Sequence, residues 1–325
     1  MYFGAIDIGG TKLAATIADA SGPLARVVAP TARSGSESAV AEQAIFLLEQ
    51  ASARAGIDAR GILRLGVSSC GPFVDVEGGI ALATPNLCGG LTGAADLPND
   101  WMHIPLEKVL RQRFGEVVIR NDCVAALIGE RSFGALQDED DCVYVTWSTG
   151  IGFGLCVNGH ILLGKHGNAG HAGHMLLSEN SDALCGCGNR GDVEGLVSGR
   201  NLSLRNGRSA IDIFSAARQG QDAERRLVEQ AAQWFGKALY NLAVTLDTRV
   251  FAIGGSVWMH HGDSLEALGK HEIESRLPAL TAGVTLKPAA LGALVADIGA
   301  LCLVVPSAWH QAWRQSQPWQ ALAEK

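Results

Sequence analysis

A pair of glycines near the start of the chain could bind phosphate. Gly9 and Gly10 lie in the segment AIDIGGTKLAATIAD, between two runs that are typical of β-strands. Successive backbone N–H groups in such a turn form an anion-binding nest, and glycine lets a phosphate approach the main chain. Asp7, at the end of the first strand, could hold Mg²⁺ through water. The segment lacks the first glycine of a Walker loop, and the alternative is an ordinary hairpin that needed glycine.

A second group that could do chemistry is the carboxylate of Asp122. The apolar run at residues 117–119 predicts a strand that ends at Arg120, Asn121 and Asp122, with a helix from about Cys123. A carboxylate at the end of a strand and the start of a helix is expected to lie in a cleft. There it can accept a proton from a substrate hydroxyl. The alternative is that Asp122 serves only as the N-cap of the helix.

The strands around these residues repeat along the chain. Residues 142–164 contain an apolar strand, a small-residue turn at 148–152 and another strand that ends at the Asn-Gly hairpin signal, 158–159. A third glycine turn, at 254–255, follows a further apolar strand. Duplicated strands with helical segments between them predict two related α/β domains that face each other across a cleft.

The boundary between the two domains has to be inferred, because no Pro- or Ser-rich linker divides the chain. We place it at the junction that carries Asp122. The expected small domain covers residues 1–121 and is joined by a C-terminal helix around 297–325. The expected large domain covers residues 122–296.

Composition restricts the partners. The chain has 325 residues, 47% of them hydrophobic and 18% charged, as in soluble globular proteins. A net charge of −7 argues against a nucleic-acid or membrane-surface role, since both need a basic face. We see no signal peptide, and the longest apolar stretch, around 298–305, is too short for a membrane span. With eight cysteines read as reduced thiols, these features predict a cytoplasmic protein.

The assembled motifs resemble those of the ROK family of sugar kinases, within the actin-like, hexokinase-type ATPase superfamily. DIGGTK is similar to the phosphate-1 loop, STGIGFG to the phosphate-2 loop and AIGGSV to the adenosine motif. SSCGP, TPNL and RND resemble sugar-domain segments, and GNAGHAGH and CGCGNRGDVEGLVSG follow in the family's order. The resemblance implies two actin-like (RNase H-like) α/β domains with mixed sheets, and a homodimer or homotetramer.

The resemblance also implies residue roles. Asp122 matches the catalytic base, which takes the proton of the sugar hydroxyl that attacks the γ-phosphoryl group of Mg-ATP. The residues implied to contact the acceptor are Gly71, Asn86, Asn121, Asp122, His171, His174 and Glu194. Those implied to contact ATP or its Mg²⁺ are Asp7, Gly9, Gly10, Thr11, Lys12, Thr149, Gly150, Gly152, Gly254 and Gly255. Such a site depends mostly on alignment and charge stabilisation.

Three positions depart from the family pattern. Val124 replaces an Asn that usually follows the catalytic Asp, and His171 stands where members usually carry Glu. Asp192 stands where the third Cys of the zinc cluster is expected. Because carboxylate oxygen is an accepted zinc ligand, we expect a structural Zn²⁺ bound by His174, Cys185, Cys187 and Asp192. The alternative is a site without metal, in which the thiols simply pack.

Two function classes compete, a carbohydrate kinase and a sugar-sensing protein, since some family members are transcriptional repressors. Those repressors carry an N-terminal helix-turn-helix domain, whereas the first strand is predicted here from residue 2, and Asp122 with both phosphate loops also favours a kinase. A degenerate binding module is a third interpretation. The His171 imidazole can donate and accept a hydrogen bond, unlike an ionised Glu. We therefore expect the acceptor to differ from glucose, as would a cyclitol, a keto-cyclitol or an uncommon hexose.

Overall fold

The computed structural model describes residues 1–92 and 97–323, which form two compact units. Unit 1 comprises Met1–Gly134, Leu163–Ala169 and Ala293–Lys325, as far as these are described. Unit 2 comprises Ala135–Leu162 and Gly170–Gly292. Both units are mixed α/β structures, so the predicted fold class is confirmed.

Unit 1 is built on a five-stranded sheet. Its first three strands are β1 (Tyr2–Ile8), β2 (Lys12–Asp19) and β3 (Gly22–Pro30), which pair antiparallel. Strands β4 (Ile62–Ser69) and β7 (Val117–Asn121) extend the sheet in parallel from β1, which gives the order β3-β2-β1-β4-β7. A small hairpin joins β5 (Phe73–Val76) and β6 (Gly79–Leu82). The helices in this part of unit 1 are α1 (Ala39–Arg54), α2 (Gly89–Thr92), α3 (Leu106–Arg111) and α4 (Asp122–Phe133).

Unit 2 repeats the plan. Its strands are β8 (Cys142–Trp147), β9 (Ile151–Val157), β10 (His160–Ile161), β11 (Val250–Gly254) and β12 (Thr285–Pro288). They are ordered β10-β9-β8-β11-β12, again with antiparallel pairs on one side and parallel pairs on the other. Its helices are α5 (Val193–Val197), α6 (Gly199–Asn206), α7 (Ala210–Arg218), α8 (Asp222–Leu246), α9 (Ser256–Glu274) and α10 (Pro278–Thr281). The duplication predicted from the glycine turns is therefore present in the sheets.

Apolar faces at helical spacing hold each unit together. In unit 1, α1 buries Ala44, Leu48 and Ala51 at positions i, i+4 and i+7. In unit 2, α8 buries Phe235 and Leu239 in the same way, and the Phe235 ring stacks on Trp147 with 4.3 Å between centroids. Within the described ranges, no helix is long and apolar enough to cross a membrane.

The C-terminal segment differs from the single helix expected around 297–325. It contains α11 (Val295–Cys302), α12 (His310–Ser316) and α13 (Gln320–Ala323), and residues 324–325 lie outside the described residues. Pro306 has no N–H to continue α11. Gln317 adopts a left-handed backbone, φ 45°, ahead of a second proline, which ends α12.

Unit 1 extends past the boundary expected at residue 121 and includes α4. The reason lies in the packing of α11 on α4. A Cβ added at Gly299 would lie 2.3 Å from the carbonyl oxygen of Ala125, so the two helices touch through their backbones. The returning C-terminal segment thus keeps α4 with the first sheet.

Candidate active site

The first glycine turn connects β1 to β2 as a hairpin, as the sequence predicts. Gly9 N donates to Lys12 O at 3.0 Å, which closes the turn. A Cβ added at Gly10 would lie 3.1 Å from Cβ of Asn86, so the structure brings these two predicted residues together. Thr31 ties β3 to the turn, because its N donates to Thr11 O (3.1 Å) and its Oγ1 to Gly9 O (2.7 Å). Sequence reasoning gave no role to Thr31.

Asp7 lies next to the end of β1, opposite Ser68 of β4. Ser68 Oγ donates to Asp7 Oδ1 at 3.0 Å. Burial raises the pKa of Asp7 to about 7, and the negative charges of Asp297 and Asp122 add to the effect. These carboxylates repel one another, and a hydrated divalent cation would offset that repulsion.

Asp297 is a buried member of this acidic group that the sequence did not reveal. Its two carboxylate oxygens accept from Arg26 Nε and Nη2 at 2.9 and 3.0 Å, and Oδ1 also accepts from Thr16 Oγ1 at 2.7 Å. A buried carboxylate is tolerated when it is paired and hydrogen-bonded in this way. In the sequence, the feature that pointed to such a buried polar partner was the polar Thr16 inside the otherwise apolar strand β2.

Asp122 is the first residue of α4, immediately after β7. The N-cap is Asn121, whose Oδ1 accepts from the backbone N–H groups of Cys123 (3.0 Å) and Val124 (3.4 Å). The alternative that Asp122 serves as the cap therefore does not hold. Asp122 Oδ1 accepts from Cys123 N at 2.9 Å, at the helix end where the dipole favours a negative charge. The Oδ1 atom of Asn121 is used by the cap. Its Nδ2 group can therefore donate a hydrogen bond to the expected sugar substrate.

The remaining predicted residue of unit 1, Gly71, lies in the loop that follows β4. Cys70 N donates to Ile8 O at 3.0 Å, which ties this loop to the end of β1. The parallel strands β1, β4 and β7 end at the same edge of the sheet. Asp7, the first glycine turn, the Gly71 loop and Asp122 therefore lie at one edge of unit 1, where open α/β sheets bind ligands.

The second glycine turn lies between β8 and β9 of unit 2. Ser148 N donates to Gly150 O at 2.9 Å, and Gly152 pairs with Thr146 in the β8–β9 ladder. The start of α6 holds the turn, since Arg200 N donates to Thr149 O at 3.1 Å.

The third glycine turn joins β11 to α9. Gly255 has φ +87°, and a Cβ there would lie 2.4 Å from the carbonyl oxygen of Trp147. At Gly254 an added Cβ would lie 2.9 Å from the Tyr144 hydroxyl. Gly255 requires glycine, because its backbone is left-handed and its close neighbour is main chain, whereas a side chain at 254 would have to displace the Tyr144 hydroxyl.

A cluster of metal-ligating side chains lies in unit 2. One ligand atom from each of His174, Cys185, Cys187 and Asp192 is within 4.8 Å of the others. Asp192 Oδ2 lies 3.1 Å from His174 Nδ1 and 3.5 Å from Cys187 Sγ, and Cys185 Sγ lies 3.7 Å from His174 Nδ1. Four N, S and O donor atoms at these separations suit a cation with tetrahedral coordination, such as zinc.

Burial and hydrogen bonding set the protonation of the cluster. The hydrogen bond with Asp192 raises the pKa of His174, and burial raises the pKa of the Cys185 thiol far above its usual range. A bound cation would replace the protons that these groups otherwise keep. Asp192 is fully buried, and its Oδ1 caps α5 by accepting from Gly195 N at 2.7 Å.

The other predicted acceptor residues of unit 2 surround this cluster. His171 immediately precedes the 3₁₀ helix Ala172–His174, and its ring centroid lies 6.1 Å from that of His174. Because His174 Nδ1 points to the cluster, its Nε2 is the ring nitrogen left for a ligand. Glu194 Oε1 accepts from Cys185 Sγ at 3.3 Å, so Glu194 is linked to the cluster as well.

Comparison with known proteins gives consistent matches. The family model described as "ROK family" matches residues 3–306. An Escherichia coli protein named N-acetylmannosamine kinase is 34% identical over 266 residues, which cover 79% of this chain and 84% of that protein. The crystal structure of a ROK hexokinase from Thermus thermophilus has a TM-score of 0.74 at 30% identity and covers 92% of this chain and 96% of its own. That of a ROK family glucokinase from Streptomyces griseus, in complex with glucose and AMPPNP, has a TM-score of 0.72 at 27% identity, with coverage of 94% and 99%.

Proposed function

We propose that the chain phosphorylates a hydroxyl of a hexose or hexose-like acceptor, with Asp122 as general base. The chain belongs to the ROK family, and it is an ATP-dependent carbohydrate kinase. The observation that carries the assignment of the base is the position of Asp122 at the β7–α4 junction, with Oδ1 fixed by the N–H of Cys123. Since Asn121 supplies the cap, N-capping of α4 does not account for the carboxylate of Asp122.

In the proposed reaction, Asp122 takes the proton of the acceptor hydroxyl. The hydroxyl oxygen then forms a bond with the γ-phosphorus of ATP as the bond from that phosphorus to ADP breaks. Little further covalent chemistry is required, so orientation and charge stabilisation dominate. Backbone N–H groups of the turns at residues 9–12 and 149–152, with the Lys12 ammonium, would hold the phosphates. Asp7 would hold Mg²⁺ through water, and the ion would neutralise charge on the phosphates.

For the acceptor we propose an N-acetylated hexosamine such as N-acetylmannosamine. Two points support it: the relative that is 34% identical is named for that sugar, and this chain has His171 where the family resemblance implies Glu. A neutral imidazole can pair with a carbonyl or an amide as well as with a hydroxyl, whereas a carboxylate only accepts. A keto-cyclitol offers a carbonyl and a cyclitol offers hydroxyls, and these are the alternative acceptors.

We propose that His174, Cys185, Cys187 and Asp192 bind one structural Zn²⁺ per chain. The support is the donor set and the separations within the cluster. The ion would cross-link the loop between residues 174 and 192 to α5. That cross-link would fix Glu194 and His174 for the acceptor. The homodimeric or homotetrameric state implied by the resemblance, and the cytoplasmic location predicted from composition and cysteine usage, stay predictions, which light scattering and cell fractionation would test.

A coupled ADP-release screen tests the proposed function. The acceptors are N-acetylmannosamine, N-acetylglucosamine, glucose, mannose, inositol and an inosose, each with ATP and Mg²⁺. We expect ADP release with at least one acceptor, and the highest kcat/KM for N-acetylmannosamine. Release with a cyclitol alone would contradict the proposed acceptor but not the reaction. An acceptor that binds in calorimetry without any ADP release would instead favour a sugar-sensing or binding protein.

A further inference from the structure

We propose that Glu194 is a positioning residue for the nucleotide as well as a contact for the acceptor. Its carboxylate touches the turn at residues 148–152, so one side chain would link the two substrates. The inference rests on the proposed function, in which this turn binds phosphate and Glu194 binds the acceptor. All of the residues that carry it belong to unit 2.

The contact is made by the second carboxylate oxygen of Glu194. Ile151 N donates to Glu194 Oε2 at 3.4 Å. A Cβ added at Gly150 would lie 2.9 Å from the same oxygen, closer than real Cβ contacts come. A side chain at this position of the turn would therefore have to displace the Glu194 carboxylate.

The other oxygen and the main chain of Glu194 are also fixed. Oε1 accepts from Cys185 Sγ at 3.3 Å. The carbonyl oxygen accepts from Asn201 Nδ2 at 3.0 Å and from Ser198 N at 3.0 Å. A carboxylate with so little freedom holds the N–H of Ile151 in one place.

The residues that follow Glu194 are joined to the same turn, and to the strand before it, by hydrogen bonds. Trp147 Nε1 donates to Val197 O at 2.9 Å, and Gly199 N donates to Ser148 O at 2.9 Å. A Cβ added at Gly199 would lie 2.8 Å from that carbonyl oxygen. The turn and the segment 194–199 therefore move as one piece, and the orientation of the Glu194 carboxylate determines how the turn presents its N–H groups.

This arrangement predicts that acceptor and nucleotide affect each other's affinity through Glu194. An acceptor that hydrogen-bonds the carboxylate would shift its position, and the shifted carboxylate would move the N–H of Ile151 and the turn with it. The coupling must be reciprocal, because it is a free energy shared by the two binding equilibria. A glutamate that contacts only the acceptor would show no such effect.

The first test measures the Kd of AMPPNP by calorimetry without any acceptor. Glu194→Ala leaves the Ile151 N–H without its partner, and we expect the Kd to rise about fivefold. Glu194→Gln keeps an oxygen for that N–H and should stay within about twofold of wild type. His171→Ala is the matched control, since it alters a proposed acceptor contact and should leave the AMPPNP Kd within about twofold. Zinc content measured in each variant shows whether the cluster is intact.

The second test approaches the contact from the turn. The Cβ of Gly150→Ala displaces Oε2, so the Kd of N-acetylmannosamine without nucleotide should rise about fivefold. In the Glu194→Ala background the same substitution should change AMPPNP affinity less than it does alone. An unchanged AMPPNP Kd in Glu194→Ala, or additive effects in the double variant, would overturn the inference while leaving the kinase assignment intact. If the wild-type protein does not bind AMPPNP, both the inference and the proposed function fail.

Discussion

Asp192 offers a sharp test because the structure gives its two oxygens different tasks. Oδ1 accepts from Gly195 N at 2.7 Å and caps α5, whereas Oδ2 faces His174 Nδ1 and Cys187 Sγ. Asp192→Cys introduces the thiolate that the family usually carries but removes the cap. Asp192→Asn keeps a capping oxygen but removes the anionic ligand.

The magnitudes follow from this division. Loss of an N-cap costs about 1 kcal/mol, and Asp192 is fully buried, so water cannot replace it without rearrangement. In metal-free protein, Asp192→Cys should therefore lose about 1 kcal/mol of unfolding free energy, while Asp192→Asn loses about half of that or less. For zinc affinity the order of the two variants reverses. Asp192→Cys should bind zinc more tightly than wild type, because a thiolate is a softer ligand than oxygen, and Asp192→Asn should bind it more weakly, because its amide is neutral.

Urea unfolding with a chelator present and zinc titration against an indicator chelator measure the two quantities. Zinc stabilises the folded protein in proportion to the logarithm of its concentration over its Kd. Asp192→Cys should consequently start from a lower free energy of unfolding than wild type and gain more of it on zinc addition. Metal-free Asp192→Cys as stable as wild type would refute the capping argument. Asp192→Asn that keeps wild-type zinc affinity would refute the ligand assignment.

Three further predictions concern other positions. His171→Glu should raise kcat/KM for glucose and lower it for N-acetylmannosamine, by about five- to tenfold in the ratio, and an unchanged ratio would contradict the proposed role. Gly255→Ala forces a side chain into a left-handed backbone 2.4 Å from the Trp147 carbonyl oxygen, so unfolding should show a loss of at least about 1 kcal/mol together with weaker AMPPNP binding. Burial, with the positive charges of Arg218 and His260, lowers the pKa of His261 from 6.5 to about 4. Since the unfolded chain then binds the extra proton, wild-type stability should fall from pH 6.5 to 4, and His261→Leu should fall less over that range.

The repeated strand pattern could be predicted from the sequence because each glycine turn follows an apolar strand. The hairpins of β1–β2 and β8–β9, and the long helix α8, come from local signals, namely turn glycines and a helical period of apolar residues. The ligand set of the cluster was also predictable, since His174, Cys185 and Cys187 recur in a family pattern.

Other features depend on contacts that no local pattern encodes. Asn121 and Asp122 are both good capping residues, and only the extended backbone of Asn121, ψ 146°, decides which one caps α4. The close packing of Gly299 on Ala125 keeps α4 in unit 1, and the two residues lie far apart in sequence. The hydrogen bond from Thr16 to Asp297 likewise joins residues that lie far apart in sequence. The second task of Asp192 could not be inferred, because a ligand motif does not show where the other oxygen points.

The measurement that tests the central claim most directly is the turnover of Asp122→Asn with ATP, Mg²⁺ and the best acceptor of the screen. The amide keeps the size of the side chain and can still accept from Cys123 N, but it cannot take a proton. We predict a kcat lower by about 10²- to 10⁴-fold, with the Kd values of AMPPNP and acceptor within about threefold of wild type. A variant that turns over within about threefold of wild type would contradict the role of Asp122 as general base.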